Sequence, residues 1–415
     1  MQENTKSFPI AEEQVWSAYL EVRKHGKSAG VDELTLKDYE ADRSNQLYKV
    51  WNRMASGSYI PPSVRRVEIP KWDGKKRKLG IPTVNDRVAQ TVVKNYLEPL
   101  LEPHFHEYSF GYRPHKNAHD AVRQAAEQSR KKAWVLDVDI EGFFDNLDHG
   151  LTMRALQKHT TEKWVLMYVE RWLKAPIEHK DGSLEYPTKG SPQGGVVSPL
   201  LSNLYLHYAF DKWMSIRYSE IVFERYADDI VVHCTSKQEA ELLLEAIRER
   251  LAQCGLRLHP EKTKIVYCKN SNRRDKHEEV SFDFLGFRFK PKKTRNRKTG
   301  EIFTDFGPAS ISKKSIKKIL ETIRSKNLHR RVTAELSDLS RDLAAHLRGW
   351  INYFGKINMR SLQPEMININ GRLIMWANTR YKSLNGSSWK GRQWLREIYR
   401  DYPNMFEHWK YGFKP

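Results

Sequence analysis

Two pairs of aspartates in this chain are spaced so that members of each could share a metal ion, and only one of the first pair need reach it. Asp137 and Asp139 alternate by two inside the apolar run Trp134–Ile140, so on a strand they face the same side. Asp228 and Asp229 are adjacent in Tyr226-Ala-Asp-Asp229, between the apolar runs Ile221–Phe223 and Ile230–Cys234. Carboxylates in apolar strands are costly to desolvate, and a structure keeps them when a cation neutralises them. An Asp-Asp pair in a turn is by itself an ordinary turn former. Apolar strands on both sides and a second acidic strand upstream make it a metal site instead. Hard carboxylate oxygens suit Mg²⁺, held by one or two carboxylates plus substrate phosphates, with Mn²⁺ as the substitute. Two such ions would activate a 3′-hydroxyl and stabilise a leaving pyrophosphate.

Two further groups of residues bear on the same chemistry. KGSPQGG (189–195), followed by VVSP (196–199), holds three glycines and two prolines. It reads as a loop of fixed shape with little side-chain bulk, which a flat ligand such as a base pair can approach closely. Gln193 there can both donate and accept hydrogen bonds. Lys71, Lys75, Lys76, Arg77 and Lys78 lie on a basic hairpin, and such cations suit the dense charge of a triphosphate. Taken singly, the first is an ordinary turn before a helix and the second a solvated charge run.

The elements that must position these residues follow from periodicity. Residues 1–60 read as helical, with a turn at Lys27–Asp32 and a second helical stretch at Tyr48–Met54. Residues 64–82 read as a hairpin turning at Asp73-Gly74. Asp86–Leu101 and Lys237–Leu251 read as amphipathic helices and Thr161–Leu173 as a helix. The two runs around Tyr226–Asp229 read as strand, tight turn, strand, and Phe282–Phe289 as one further strand. The run KPKKTRNRK (290–298) reads as a linker or exposed loop. Beyond it come three apolar faces: Ile316, Ile319, Leu320 and Ile323; Leu336, Leu339, Leu343 and Leu347; Met366, Ile369, Leu373 and Trp376. They predict a small helical bundle.

Composition sets the partner class. The 415 residues carry 71 Lys plus Arg against 51 Asp plus Glu, a net charge of +20, interleaved with 12 Trp and 19 Tyr. Rings that stack on bases beside cations that hold phosphates point to nucleic acid. No run reaches the roughly 18 apolar residues of a membrane helix, and the N-terminus lacks an apolar signal core, so the expected location is the cytoplasm. Cys234, Cys254 and Cys268 fit neither a disulfide framework nor a zinc knuckle.

In this order the motifs resemble those of reverse transcriptases. DIEGFFD (139–145) looks like motif A, SPQGG (191–195) like motif B, YADD (226–229) like motif C, LRLHPEKTK (256–264) like motif D, and FLGF (284–287) like the block that follows. The wording is most similar to group II intron-encoded reverse transcriptase/maturases of bacteria. RRVEIPK (65–71), LGIPT (79–83) and SFGYRP (109–114) resemble their finger blocks, KSAGVD (27–32) their N-terminal extension, and LRGWINYF (347–354) their maturase segment, domain X. The resemblance covers roughly residues 20–385 and implies an α+β right-hand polymerase fold, with fingers, a palm built on an antiparallel sheet, and a helical thumb.

It also implies roles. Asp139 and Asp228 would ligate both metals, with Asp229 supporting them and Asp137 structural. Phe144 stands where the family keeps a steric gate against a ribonucleotide 2′-hydroxyl. Lys71 and Arg77 match residues that grip the incoming dNTP, and Gln193 and Gly194 the loop beneath the nascent pair. Lys262 is a candidate proton donor to pyrophosphate. Arg65, Arg66, Arg113, Lys292, Lys293, Arg295, Arg348 and Trp350 are expected against nucleic acid. Expected boundaries are 1–110 for the N-terminal extension and fingers, 111–290 for the palm with remaining finger elements, 291–308 for the basic linker, 309–385 for the thumb, and 386–415 for a short basic DNA-binding tail. No CxxC pair or HNH-like cluster is present, so target-site cleavage is not expected. The function implied is RNA-directed DNA polymerisation, with intron RNA bound to assist splicing and copied into DNA in retrohoming; partners are RNA, a DNA primer or target, and dNTPs. A free-standing domesticated reverse transcriptase in defence or repair is the alternative. An RNA-binding splicing cofactor without polymerase activity ranks below both. Oligomeric state stays open.

Overall fold

The computed structural model describes residues 7–24, 28–70, 74, 76–296, 298–384 and 386–415. In chain order the elements are α1 (Glu12–Lys24), α2 (Leu36–Ala41), α3 (Arg43–Ala55), β1 (Val64–Pro70), β2 (Lys76–Ile81), α4 (Val84–Leu101), α5 (Ala118–Lys131), β3 (Trp134–Asp139), α6 (His149–Leu156), α7 (Lys163–Leu173), β4 (Ile177–Glu178), β5 (Leu184–Glu185), α8 (Ser198–Leu206), α9 (Lys212–Arg217), β6 (Phe223–Tyr226), β7 (Asp229–Cys234) and α10 (Lys237–Gln253). Then follow β8 (Lys264–Tyr267), β9 (Phe282–Phe284), β10 (Phe287–Arg295), β11 (Ile302–Ile311), α11 (Lys313–Ser325), α12 (Leu336–Trp350), α13 (Lys356–Asn358), α14 (Gln363–Arg380) and α15 (Ser388–Asp401). The chain divides into two compact units: Met1–Asn117 with Leu136–Lys264, and Ala118–Val135 with Ile265–Pro415.

The first unit packs helices around one apolar core. On α1 the buried residues are Val15, Ala18, Tyr19 and Val22, the i, i+3, i+4, i+7 stripe of an amphipathic helix. They join Val50 and Met54 of α3, Val88, Val92 and Leu97 of α4, Val165 and Val169 of α7, and Leu201 and Leu204 of α8. Each Val, Leu or Met among them contributes about 1.5–3 kcal/mol when fully buried. Two sheets stand beside this core. One has the order β2-β1-β4-β5. Its hairpin runs antiparallel from Arg65↔Ile81 to Pro70↔Lys76, and β1 meets β4 in parallel. The predicted hairpin is thus present, although Asp73 of its expected turn lies outside the described residues. In the other sheet β6, β7 and β3 are neighbours in that order.

In the second unit β9, β10 and β11 form an antiparallel sheet, and α5 packs on β11, with Arg130 3.1 Å from Asp305. Two expectations are corrected here. The run expected as one strand at 282–289 is broken by a two-residue turn at Leu285-Gly286, both with positive φ (+47° and +82°) between the paired Phe284 and Phe287. That is the sign pattern of a type I′ hairpin turn. The basic run expected as a linker is strand as far as Arg295, laddered to β11 from Lys290↔Gly307 to Arg295↔Ile302. A ladder satisfies the backbone whatever the side chains are, and basic side chains suit a strand whose burial falls away towards its end.

The predicted bundle faces turn inward, with Ile316 and Leu320 of the α11 face only half-buried. Ile319 and Ile323 of α11, Leu336, Leu339, Leu343 and Leu347 of α12, and Met366, Ile369, Leu373 and Trp376 of α14 are buried. The segment expected as an appended tail is packed into this unit. A Cβ on Gly391 would meet the Asn378 side chain at 2.6 Å. Asn370 Oδ1 takes hydrogen bonds from His408 (2.8 Å) and Trp409 (3.0 Å), and Phe406 and Trp409 are buried. Cys234, Cys254 and Cys268 are buried thiols. Among the described residues no helix is long and apolar enough to cross a membrane.

Candidate active site

The β6–β7 ladder closes at Tyr226↔Asp229, which makes Ala227-Asp228 a two-residue turn. Ala227 takes φ +56°, a conformation costing an L-residue roughly 1–2 kcal/mol. Because β3 lies next to β7, the turn brings Asp228 into the field of Asp139. Asp228 is half-buried. Burial pushes its carboxyl above the usual carboxylate range, the Asp139 charge adds to this, and Arg77 and Lys262 oppose it. Lys262 Nζ lies 3.1 Å from Asp139 Oδ2. The Asp139 backbone carbonyl accepts from His259 N at 2.8 Å, which ties the 256–264 segment to the end of β3. Asp229 is exposed at the first position of β7.

Asp228, whose proton affinity burial and the nearby Asp139 charge raise despite Arg77 and the partly exposed Lys262, forms with Asp139 a donor set that a further positive charge would stabilise. That fits a hard divalent cation. Among the described residues no group of three or more His, Cys, Asp or Glu side chains converges to hold a metal ion.

The 189–195 loop is fixed from two sides. Ser191 N donates to Phe144 O (2.8 Å) and Gly190 N to Leu147 O (2.7 Å), so the loop runs along the Phe143–Asp145 turn. Phe143 is buried beneath and meets Phe144 edge to face at 5.4 Å, which sets the half-exposed Phe144 ring. On the other side Gly80 N donates to Gln193 O at 2.9 Å. A Cβ on Gly194, whose φ is +130°, would run into the Gly80 carbonyl oxygen, so only glycine fits. The strand that carries Arg77 is thereby tied to the loop that carries Gln193. Beneath the loop Val197 N donates to Gln90 Oε1 (3.2 Å) and Gln90 Nε2 to Asp86 Oδ2 (2.9 Å). Tyr59 and Trp172 both donate to Asp86 Oδ1 (3.0 and 2.7 Å). Burial pushes the Asp86 carboxyl up to about 6.

Of the sequence-predicted residues, Asp139, Asp228, Lys262 and Arg77 share one field, and Phe144, Gln193 and Gly194 are joined by the loop. Lys71 lies outside the described residues. Arg113 is a correction: its side chain is 6% exposed, paired with Glu102 at 2.7 Å and donating to the His106 and Ser109 carbonyls. A guanidinium with its donors so used holds its own loop rather than a phosphate. Arg66 pairs with Glu185 at 2.9 Å, and Arg65 is half-buried. In the second unit Lys292, Lys293 and Arg295 lie on β10, where burial lowers the Lys292 ammonium. Arg348 pairs with Glu407 at 2.9 Å, and Trp350 stacks on His346 with centroids 5.8 Å apart.

Two site residues escaped the sequence reading. Tyr112 (φ +55°) is half-exposed with its ring 6.4 Å from Tyr226, and burial and then the Asp228 charge push its phenol up. Arg225 is wholly buried directly before the turn. A charge inside an apolar strand implies a buried partner, but the spacing does not say which.

Comparison with known proteins agrees with this geometry. Residues 69–289 match the family described as reverse transcriptase (RNA-dependent DNA polymerase), and residues 316–395 the group II intron maturase-specific domain. The chain is 31% identical over 311 residues to protein YkfC of Escherichia coli, covering 66% of this chain and 78% of that protein. It is 35% identical over 164 residues to the group II intron-encoded protein LtrA of Lactococcus lactis subsp. cremoris, covering 39% of this chain and 27% of LtrA. It is 25% identical over 263 residues to the putative COX1/OXI3 intron 2 protein of Saccharomyces cerevisiae, covering 63% and 29%. The match to each of the last two thus spans under a third of that protein.

Proposed function

The chain belongs to the reverse transcriptase family and carries a group II intron maturase-specific domain, and from that premise we propose that it copies RNA into DNA and binds its intron RNA to assist splicing. The observation that carries the polymerase reading is Asp139, at the end of β3, together with Asp228, on the turn of the neighbouring β6–β7 hairpin, where the Asp139 charge raises the Asp228 carboxyl against the opposition of Arg77 and Lys262. Asp139 and Asp228 would hold two Mg²⁺ ions, with Asp229 at their edge. Bound there, the ions would lower the pKa of a primer 3′-hydroxyl and neutralise pyrophosphate.

The chain's own groups do the rest. Arg77, on a strand fixed to the 189–195 loop through Gly80, meets the triphosphate of the incoming dNTP. Lys71 is proposed for the same contact. Gln193 and Gly194 present a flat backbone to the nascent pair. The Phe144 ring, held by Phe143 and by its carbonyl bond to Ser191, fills the space a 2′-hydroxyl would need. Lys262, whose Nζ lies 3.1 Å from Asp139 Oδ2, would leave that contact and give a proton to pyrophosphate. Arg65 and Arg66 on the fingers hairpin, Lys292, Lys293 and Arg295 on β10, and Arg348 and Trp350 on α12 are proposed to contact RNA or DNA. Action in the cytoplasm, splicing assistance and retrohoming belong to the same proposal. A domesticated enzyme outside any intron is the second reading, and flanking DNA that folds as a ribozyme decides against it.

The test is primer extension on an RNA template with dNTPs and Mg²⁺. Full-length cDNA from the native protein and none from Asp228→Ala, with RNA binding retained in both, is the expected result. If neither extends the primer while both bind RNA, the polymerase reading gives way to that of a splicing cofactor.

A further inference from the structure

The aspartate-bearing turn is strained, and a strained turn persists only where its surroundings over-determine it. Arg225, the residue before Tyr226, lies beneath it with no exposed side-chain surface. Its guanidinium spends its donors on three partners. Nε and Nη2 form a bidentate pair with Asp211, itself wholly buried, at 2.7 and 2.6 Å. Nη1 reaches Asn203 Oδ1 at 3.0 Å and the carbonyl of Ala227 at 3.2 Å. That last bond fixes the peptide joining the strained Ala227 to Asp228.

Asn203 closes the network from the other side. Its Nδ2 donates to Gly111 O at 2.6 Å. Gly111 abuts the turn so tightly that a Cβ there would stand 2.5 Å from Ala227 N. The strand-like stretch before Gly111 is laced to β6, with Arg225 N donating to Tyr108 O (2.9 Å) and Phe110 N to Arg225 O (2.8 Å). The turn is therefore held beneath by Arg225 and at its side by Gly111, and Asn203 touches both holders.

Asn203 and Asp211 belong to one continuous helical stretch that starts at Ser198, directly after the 189–195 loop. It runs through α8, one π-helical turn at His207–Asp211, and α9. Residues eight apart on a regular α-helix differ by about 80° in direction. The wider π turn removes part of that offset, so both side chains reach the same guanidinium. The loop expected beneath the base pair and the turn expected to hold metal are thus joined by one rigid element.

We propose that Arg225 is a positioning residue for the Asp228 carboxylate, aimed by Asp211 and Asn203, so that the metal-binding shape of the turn is set by the helix that begins at the 189–195 loop. The assignment rests on the polymerase reading only for its effect on catalysis; its effect on the ion site stands apart from it.

Removing one half of a buried ion pair can unfold a protein, so the decisive variant is Asn203→Ala, with Arg225→Lys as the second. Lysine keeps the charge for Asp211 but lacks the fork that also reaches Asn203 and Ala227. Mn²⁺ is titrated into each protein alone and followed by electron paramagnetic resonance. Single-nucleotide extension is then measured against Mg²⁺ and dNTP, and thermal unfolding alongside. For Asn203→Ala we expect Mn²⁺ affinity and kcat each to fall by about 10-fold, with the KM for dNTP within about twofold of native. Arg225→Lys should show the same signature more strongly. A folded Asn203→Ala protein with native Mn²⁺ affinity and kcat overturns the assignment, even if its melting point falls. A native protein that extends no primer, yet loses Mn²⁺ affinity on Asn203→Ala, leaves the positioning role standing and removes the polymerase reading.

Discussion

Asp86 sits fully buried under the 189–195 loop and accepts three side-chain donors. Those donors favour the carboxylate, but burial outweighs them and leaves the group titrating at about 6, against 3.8 for an ordinary aspartate. A carboxyl whose folded value lies above its unfolded value disfavours folding once it is ionised. The penalty is absent below about pH 4, grows between pH 4 and 6, and is complete above that, reaching about 3 kcal/mol at 1.36 kcal/mol per unit. Asp86→Asn cannot ionise, though its amide meets Gln90 donor to donor at any pH. Its stability relative to native should therefore improve by up to about 3 kcal/mol between pH 4 and pH 7.5 in urea titrations. A difference that stays constant across that range would mean Asp86 does not titrate there. Asp139 and Asp228 could be read from the sequence because a charge in an apolar strand is costly wherever its partner lies. Asp86, Asn203, Asp211 and Arg225 could not. Their partners come from distant segments (Trp172 lies 86 residues from Asp86), and no local spacing encodes a buried network.

The elements were legible where one period dominates. The α10 stripe and the three bundle faces each have a single apolar side, and the structure turns those sides inward. The FLGF turn was hidden because it is made of Leu285 and Gly286 between phenylalanines, without the polar residues that usually mark a turn. The Leu285 carbonyl is held from outside by Tyr353 Oη at 2.8 Å, and Phe287 stacks on the Tyr353 ring. The packed C-terminal segment was hidden for a related reason: its basic residues suggest a solvated tail, while its anchors are single buried groups. One of these, His408, gives the element a measurable acid sensitivity. Burial pushes its imidazole down to about 3. Below pH 6.5 the unfolded chain takes up a proton that the folded chain refuses, so stability falls with pH at about 1.36 kcal/mol per unit, roughly 2 kcal/mol by pH 5. His408→Gln keeps a donor for Asn370 and cannot titrate. Denaturation followed by tryptophan fluorescence should show that part of the acid loss in the native protein and not in the variant. Equal losses in both would place the acid sensitivity elsewhere.

Across the whole molecule the excess of 20 positive charges is an interaction with phosphates waiting to be measured, but not every cation takes part in it. Arg113 is used up inside its loop, while among the cations proposed against nucleic acid Arg66 and Arg348 must first release a carboxylate and Lys292 is half-buried near Asp305. Lys293, exposed on β10, is the better candidate for a phosphate. Each cation that neutralises a phosphate releases counterions, so log affinity falls linearly with log salt, by about 0.7 per contact on a single strand and about 0.9 on duplex DNA. Template–primer affinity of the native protein should therefore drop steeply between 50 and 200 mM salt, on the order of a thousandfold for six contacts. Lys293→Ala should weaken binding to every sequence alike and flatten that slope by about one contact. Arg113→Ala should lower the melting point, because it strands Glu102 and two carbonyls, and should leave the slope unchanged. If Lys293→Ala keeps the native slope, Lys293 on β10 does not touch phosphate and its charge serves the sheet alone. If Arg113→Ala flattens the slope instead, its loop opens when nucleic acid binds.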